Sequence, residues 1–355
     1  MGIGGVETSL LRRLEFAPAD LQTTIISTVP SLNSIDFGEK IPNARLIEFS
    51  PRRSFPSSLS QTIRDLRPDV IITHSPLVAI NVLTSRIPNE CPVVVVAHHP
   101  YSSGRTFARL PLQAVLTAVN HRAALHIAVS GQAAGGEQCR RARRIKVVPL
   151  GGEVQPCTPQ EIQTARDRIW PSDTRFPLLS LGRLEKFKNL SSLVEAVALI
   201  QKVMERQKAS LCIVGSGSQQ SVLKSMITKL GVSHLVQLVP ETHEPSAFYF
   251  AADTLIVPSF AEGGPITAVE AALAGTRVHM TNVGLAQELA GLGAQVSLIS
   301  GFDRHTIAKS LVAILEGEPV SALQRQKWAL NAGGWRVDKQ CDGFYSLVKS
   351  VIEGT

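Results

Sequence analysis

Residues Thr254–Gly275 read TLIVPSFAEGGPITAVEAALAG. A short β-branched run, Thr254–Pro258, leads into a loop with a Gly-Gly-Pro turn, and an Ala-rich helical pattern starts near Ile266. A glycine turn at a helix start leaves backbone N–H groups free at the positive end of the helix dipole, where an anion or sugar hydroxyls can bind. Glu262 lies in the loop and Glu270 about one turn into the helix, so both carboxylates can face one pocket. Ala268, Val269, Ala271, Ala272 and Leu273 around Glu270 are apolar. A carboxylate on so buried a helix needs a partner, and carboxylates accept well from the vicinal hydroxyls of a sugar or ribose.

The same strand-then-helix unit recurs in both directions. Asp69–Thr73, Pro92–Ala97, Ile145–Pro149, Pro177–Leu181 and Ser210–Val214 are short continuous apolar runs, the pattern of strands buried on both faces of a parallel sheet. Helical patterns lie at Thr8–Leu14, Leu59–Leu66, Leu110–Ala123, Leu190–Met204, Gln219–Leu230, Thr267–Ala274 and Thr306–Leu315. This alternation predicts an α/β protein with parallel sheets. A chain of 355 residues exceeds one ordinary core. Pro149-Leu-Gly-Gly followed by Pro156, Pro159 and Pro171 marks a boundary. The expected division is 1–155, 156–334, and a terminal helix 335–355 carrying Trp335, Phe344, Leu347, Val348 and Val351, which crosses back to the first domain.

Further candidate residues sit at carboxyl ends of these strands, where open α/β sheets bind ligands. Leu181–Asn189 reads LGRLEKFKN, and an arginine fork at Arg183 with a point charge at Lys188, or Lys186 in its place, suits a diphosphate. Ile213–Ser218 reads IVGSGS; it lacks the third glycine of a dinucleotide fingerprint, and a plain strand-to-helix turn explains Gly215 equally well. Gly2–Glu7 opens a helix and offers a second anion or sugar platform, and His98-His99 follow the run Pro92–Ala97.

Composition narrows the partners. Hydrophobic residues make up 44% and charged residues 18%, a folding composition rather than a disordered one. Five scattered cysteines without CxxC spacing argue against a disulfide framework or a zinc site and suggest a reducing, cytoplasmic setting. No leader-like segment or bilayer-length apolar run is read in the chain. The net charge of +7 is uneven: residues 1–155 carry 17 Lys and Arg against 11 Asp and Glu, the remainder 19 against 18. The cluster Arg140, Arg141, Arg143, Arg144 and Lys146 reads either as a solvated element end or as a contact for lipid phosphate or a phosphorylated acceptor. Nucleic acid is not expected, because no aromatic residues interleave with the basic ones. Leu110–Val119, flanked by Arg109 and Arg122, reads as a buried helix or as one lying against the inner face of a membrane.

Taken together, these segments resemble the retaining glycosyltransferases of family 4, the glycosyl transferases group 1. Gly4-Gly5-Val6-Glu7 is similar to the family's N-terminal glycine loop, His98 to its histidine after a first-domain strand, and Val148–Gly152 to its hinge entry. Gly182-Arg183-Leu184 with Lys188 is similar to the basic pair, Val214–Gly217 to the GxG turn, and Glu262 with Glu270 to the paired-glutamate signature. The resemblance implies a GT-B architecture: two Rossmann-like parallel-sheet domains facing a cleft. Arg183 and Lys188 would hold the donor phosphates, Glu270 the ribose, and Glu262 with the backbone of Gly263, Gly264, Pro265 and Ile266 the donor sugar. His98 would lie at the sugar's reactive end, and Gly4 and Gly5 would close over the diphosphate beside Gly215. The donor would be a UDP- or GDP-sugar. No metal is expected, since the sequence has no Asp-x-Asp pair. The acceptor would be anionic, a glycan, or lipid-linked.

Three departures from the pattern stand out. The strand that usually precedes the glycine loop is missing, so the expectation is either a first domain without its first strand or a start that lies upstream of this sequence. His98-His99 makes the histidine ambiguous by one position, and Arg277 replaces a usual proline. The rival readings are a nucleotide-sugar epimerase of the same fold, a catalytically inactive partner protein, and a dehydrogenase. The last is disfavoured because Leu235–Pro240 offers no acidic residue for an adenosine ribose.

Overall fold

The computed structural model describes residues 5–27, 44–48, 55–74, 76–84, 91–98, 117, 120–136, 139, 141–242 and 244–354. They form two units, 1–151 with 337–355, and 152–336. Gly4 and His99 lie outside the described residues, as does Leu110–Val119 except position 117.

The first unit begins with helix α1 (Gly5–Glu15), and no strand precedes it among the described residues. Strands β1 (Thr23–Ser27) and β2 (Ala44–Glu48) pair in parallel. After α2 (Phe55–Leu66) come β3 (Ile71–Thr73), α3 (Pro76–Thr84), β4 (Val93–Ala97), β5 (Leu125–Ala128), the single turn α4 (Gly131–Ala134) and β6 (Ile145–Val147). The last four strands form a second parallel sheet in the order β3-β4-β5-β6. Every residue of β4 and β5 is buried, as the continuous run of valines requires. Ile26 of β1 packs into the same apolar cluster as Val93 and Val95 of β4.

The second unit carries α5 (Pro159–Ile169), β7 (Phe176–Leu181), α6 (Leu190–Leu199), α7 (Gln201–Arg206), β8 (Ala209–Val214), α8 (Gln220–Lys229) and β9 (Val236–Val239). It continues with α9 (Ser246–Ala251), β10 (Thr254–Val257), α10 (Ile266–Leu273), β11 (Arg277–Thr281), α11 (Ala286–Ala290), β12 (Val296–Ile299), α12 (Arg304–Leu315) and α13 (Ala322–Asn331). Its six parallel strands are ordered β12-β11-β10-β7-β8-β9. Each face of this sheet covers its own apolar cluster, one built on α9 and α10, the other on α6, α8 and α12. Strand order reverses between β7 and β10, the place where parallel sheets open a crevice at their carboxyl ends. The predicted single helix Leu190–Met204 is two helices, broken at Ile200, whose backbone leaves the helical region.

The final helix α14 (Val337–Ile352) belongs to the first unit. Its Tyr345 hydroxyl donates to the Arg13 carbonyl at 2.7 Å, and its Lys349 Nζ reaches Asp20 at 2.8 Å. Arg277, at the start of β11, pairs with buried Asp253 at 3.6 Å and donates to the Glu318 carbonyl at 3.0 Å, which gives this residue a polar setting where proline was the expectation. Arg141, Arg143 and Lys146 of the basic cluster are exposed. No helix among the described residues is long and apolar enough to cross a membrane.

Candidate active site

Two loops leave the adjacent carboxyl ends of β7 and β10. The first is Gly182–Asn189. Gly182 has φ +142° and Gly215, ending β8, has φ +156°. A Cβ on Gly215 would lie 2.0 Å from the Gly182 carbonyl oxygen, and one on Gly217 would lie 2.6 Å from that of Leu184. Both glycines of the GSG turn are therefore required by the close approach of the β7 loop. The turn-only reading thus has a definite cause, and the same crowding holds the two loops in register. Glu185 strengthens the seam: its carboxylate accepts from the Ser218 hydroxyl at 2.7 Å and amide at 3.2 Å, which hold it below the usual carboxylate range.

Asn189 ends this loop in a left-handed conformation at φ 56°. Its side-chain amide donates to the carbonyls of Pro258, at 3.0 Å, and Phe302, at 2.8 Å, tying the start of α6 to the second loop. Phe260 N–H adds a backbone bond to the Phe187 carbonyl at 2.8 Å.

The second loop, Pro258–Pro265, carries Glu262. Lys188 Nζ donates to Glu262 Oε1 at 2.7 Å, and the Ser259 hydroxyl donates to the same oxygen at 2.7 Å. The pair is largely shielded, with side-chain exposures of 17% for Lys188 and 8% for Glu262. Arg183 is exposed, lies over the Phe187 ring, and lines one pocket with Gly182, Lys188, Pro258 and Ser259. Gly284 supports the loop from below: at φ +59°, a Cβ there would come within 2.9 Å of the Gly263 carbonyl.

Helix α10 follows with Pro265 as its cap and no side chain bonded to its first amides. Gly263 and Pro265 are buried, Gly264 and Ile266 partly so. Glu270, buried in α10, accepts a 2.8 Å bond from the Tyr249 hydroxyl of α9. The carboxylate that the apolar helix could not leave alone thus has a neutral donor. Glu270 is not among the residues that line the Arg183–Lys188 pocket.

The structure brings Arg183, Lys188, Glu262 and Gly215 into one loop cluster and leaves Glu270 one turn behind it. Gly5 starts α1 in the other unit, where His98 directly follows β4 and is buried. Sequence reasoning missed Tyr249, Glu185, Gly284 and the carbonyl-bridging role of Asn189. It also missed His74, whose Nδ1 lies 2.9 Å from His98 Nε2.

Known proteins show the same two-unit pattern. A family model described as "Glycosyl transferases group 1" matches residues 162–333, and one described as "Glycosyltransferase Family 4" matches residues 3–154. The chain belongs to glycosyltransferase family 4. Similar curated relatives are the D-inositol 3-phosphate glycosyltransferase of Geodermatophilus obscurus and D-inositol 3-phosphate glycosyltransferase 1 of Catenulispora acidiphila. The first is 28% identical over 59% of this chain and 48% of its own length, the second 29% over 59% and 53%. The chain spans about half the length of these relatives that it matches. Among solved structures, sucrose-phosphate synthase from Thermosynechococcus elongatus superposes with a TM-score of 0.81 at 18% identity, covering 99% of this chain and 94% of its own. Anabaena HepE in complex with UDP superposes at 0.78 and 18%, covering 98% and 96%. These likenesses show a GT-B fold for this family 4 chain.

Proposed function

We propose that the chain transfers a sugar from a nucleotide-diphosphate sugar to an acceptor hydroxyl with retention of anomeric configuration and without a metal. The observation that carries this reading is the loop pair at the switch point of the second unit, where Lys188 and Glu262 meet at 2.7 Å beside Arg183. In the reaction the bond from the sugar's anomeric carbon to the diphosphate oxygen breaks, and the diphosphate leaves with its electron pair. Arg183, Lys188 and the uncapped amides of α10 are suited to stabilise that growing charge, and such fixed electrostatics supply much of the rate in comparable sites. The acceptor oxygen bonds to the same face of the anomeric carbon, and its proton passes to the departing phosphate oxygen. Glu262, fixed by Lys188 and Ser259, is assigned to the sugar hydroxyls and Glu270 to the ribose. HepE, whose structures include one with UDP-glucose, makes UDP-glucose the first donor to test. His98 belongs to the first unit, and its role toward the sugar rests on the family resemblance.

The acceptor we propose carries a phosphate. Two similar curated relatives are named D-inositol 3-phosphate glycosyltransferases, and the first 155 residues hold the basic excess, 17 against 11.

The test is a thermal-shift screen with UDP, GDP, ADP and their sugar conjugates on the wild type and Glu270→Gln, which keeps an acceptor for Tyr249. One nucleotide stabilising the wild type by ~2.7 kcal/mol at a hundredfold excess over Kd, and the variant much less, supports the donor assignment. Incubation of that donor with phosphorylated polyols, followed by NMR of the product anomer, tests the rest. An inverted product overturns retention. Free sugar or an epimer formed without acceptor favours the epimerase reading, and no shift with any nucleotide favours an inactive partner protein.

A further inference from the structure

His98 has a companion of its own kind. Strands β3 and β4 pair in parallel with Thr73 opposite Val95, so the residues that follow each strand emerge at the same carboxyl edge. There His74 Nδ1 lies 2.9 Å from His98 Nε2, with ring centroids 5.2 Å apart and planes inclined by 30°. Two imidazole nitrogens at this distance share one proton: two lone pairs would repel, and two N–H groups would clash. The tautomer of one ring therefore dictates that of the other.

The surroundings keep one partner of this bridge, His74, neutral. Arg13 of α1 is buried, its two terminal amino groups have no hydrogen-bond partner among the described residues, and its guanidinium lies 4.2 Å from the Phe344 ring centroid. From α14, Cys341 and Tyr345 also face Arg13, and burial keeps both neutral, the thiol pushed up to about 11 and the phenol raised as well. No anion among these groups offsets the guanidinium. Burial, and then the Arg13 charge, lower His74 to about 3, so it stays neutral at any working pH.

We propose that His74 is a positioning residue for His98: through the Nδ1–Nε2 bridge it fixes the tautomer and ring orientation that His98 presents at the strand edge. The inference rests on the reading of His98 as a residue that touches substrate, and its test separates the two. The side-chain nitrogens of the ¹⁵N-labelled full chain are assigned by NMR at pH 7 in the wild type, H74N and H74L. Asparagine places an amide where Nδ1 lies; leucine removes the polar group. Where H74L does not melt cooperatively, H74Q takes its place, with its amide one carbon further out. The wild type and H74N are expected to hold His98 in one tautomer, with kcat in H74N within about threefold of the wild type. In H74L the two His98 nitrogen signals move toward a common average, and kcat falls about 10- to 100-fold, the range set by small misplacements of a reacting group, while KM for the donor stays within about threefold. A His98 tautomer unchanged by H74L overturns the proposal whatever the turnover. Turnover untouched by His98→Ala overturns the reading of His98 beneath it.

Discussion

At the residue scale the second unit's loop cluster turns on one ion pair. Lys188 and Glu262 are both largely shielded, and among the described residues the Ser259 hydroxyl is the other donor to Glu262. Removing one partner of a shielded pair strands the other charge and costs ~3–5 kcal/mol, whereas removing both charges costs far less. Lys188→Met is therefore expected to lower the melting temperature by several degrees, and the double variant with Glu262→Gln to recover most of it. Activity should not follow stability. On the proposed role of Lys188 toward the leaving group, its loss should cost ~10²–10³ in turnover, and the double variant should remain that impaired. Melting curves beside initial rates check this, and a double variant that regains turnover would show the pair to be structural only.

At the element scale the decisive feature is the seam between the loops that end β7 and β8. Gly215→Ala places a methyl 2.0 Å from the Gly182 carbonyl oxygen at φ +156°, so the backbone of one loop has to move. Gly231, at φ +70° with nothing within 4 Å of its would-be Cβ, is the control. Gly231→Ala should cost ~1 kcal/mol of left-handed strain, while Gly215→Ala should cost more and also weaken nucleotide binding, both readable from urea titrations with and without UDP. This seam shows how far the sequence could be read. Runs such as VVVV in β4 announce buried strands because burial on both faces demands unbroken apolarity. The β5 run LHIA hides one, since buried His126 interrupts the pattern; its Nε2 bonds Asn120 at 3.0 Å, while its Nδ1 has no hydrogen-bond partner among the described residues. The spacing of Glu262 and Glu270 is local, so their loop-and-helix setting is legible. Their partners are not: Lys188 lies 74 residues from Glu262 and Tyr249 lies 21 from Glu270, distances that only the sheet order closes. His74 escaped notice for the same reason, standing 24 residues from His98 until β3 pairs with β4.

At the scale of the whole molecule, acid should find the histidines. His74 and His126 in the first unit and His279 in the second are held neutral mainly by burial, at about 3, 4 and 4 against an ordinary 6.5. His279 bridges Ser297 at 2.7 Å and Ser310 at 2.5 Å, bonds that join β11 to β12 and α12. Each histidine is depressed in the folded chain, so below pH 6.5 the unfolded chain binds protons that the folded one refuses. By linkage, the stability each contributes is fully present above about 6.5 and is lost as pH falls toward its folded value, by up to ~1.4 kcal/mol per pH unit for each group. Two of the three lie in the first unit, so its unfolding should move furthest. Urea titrations at pH 8, 6.5, 5.5 and 4.5 should show little change over the first step and a steepening loss over the next two. Fluorescence can be followed at Trp170, Trp328 and Trp335, all in the second unit, and far-ultraviolet dichroism over both. The dichroism midpoint should fall ahead of the fluorescence midpoint. His279→Gln should flatten the fluorescence profile and leave the earlier, first-unit loss in place. Coincident transitions at every pH would show instead that the two units unfold as one, with all three histidines acting on a single equilibrium.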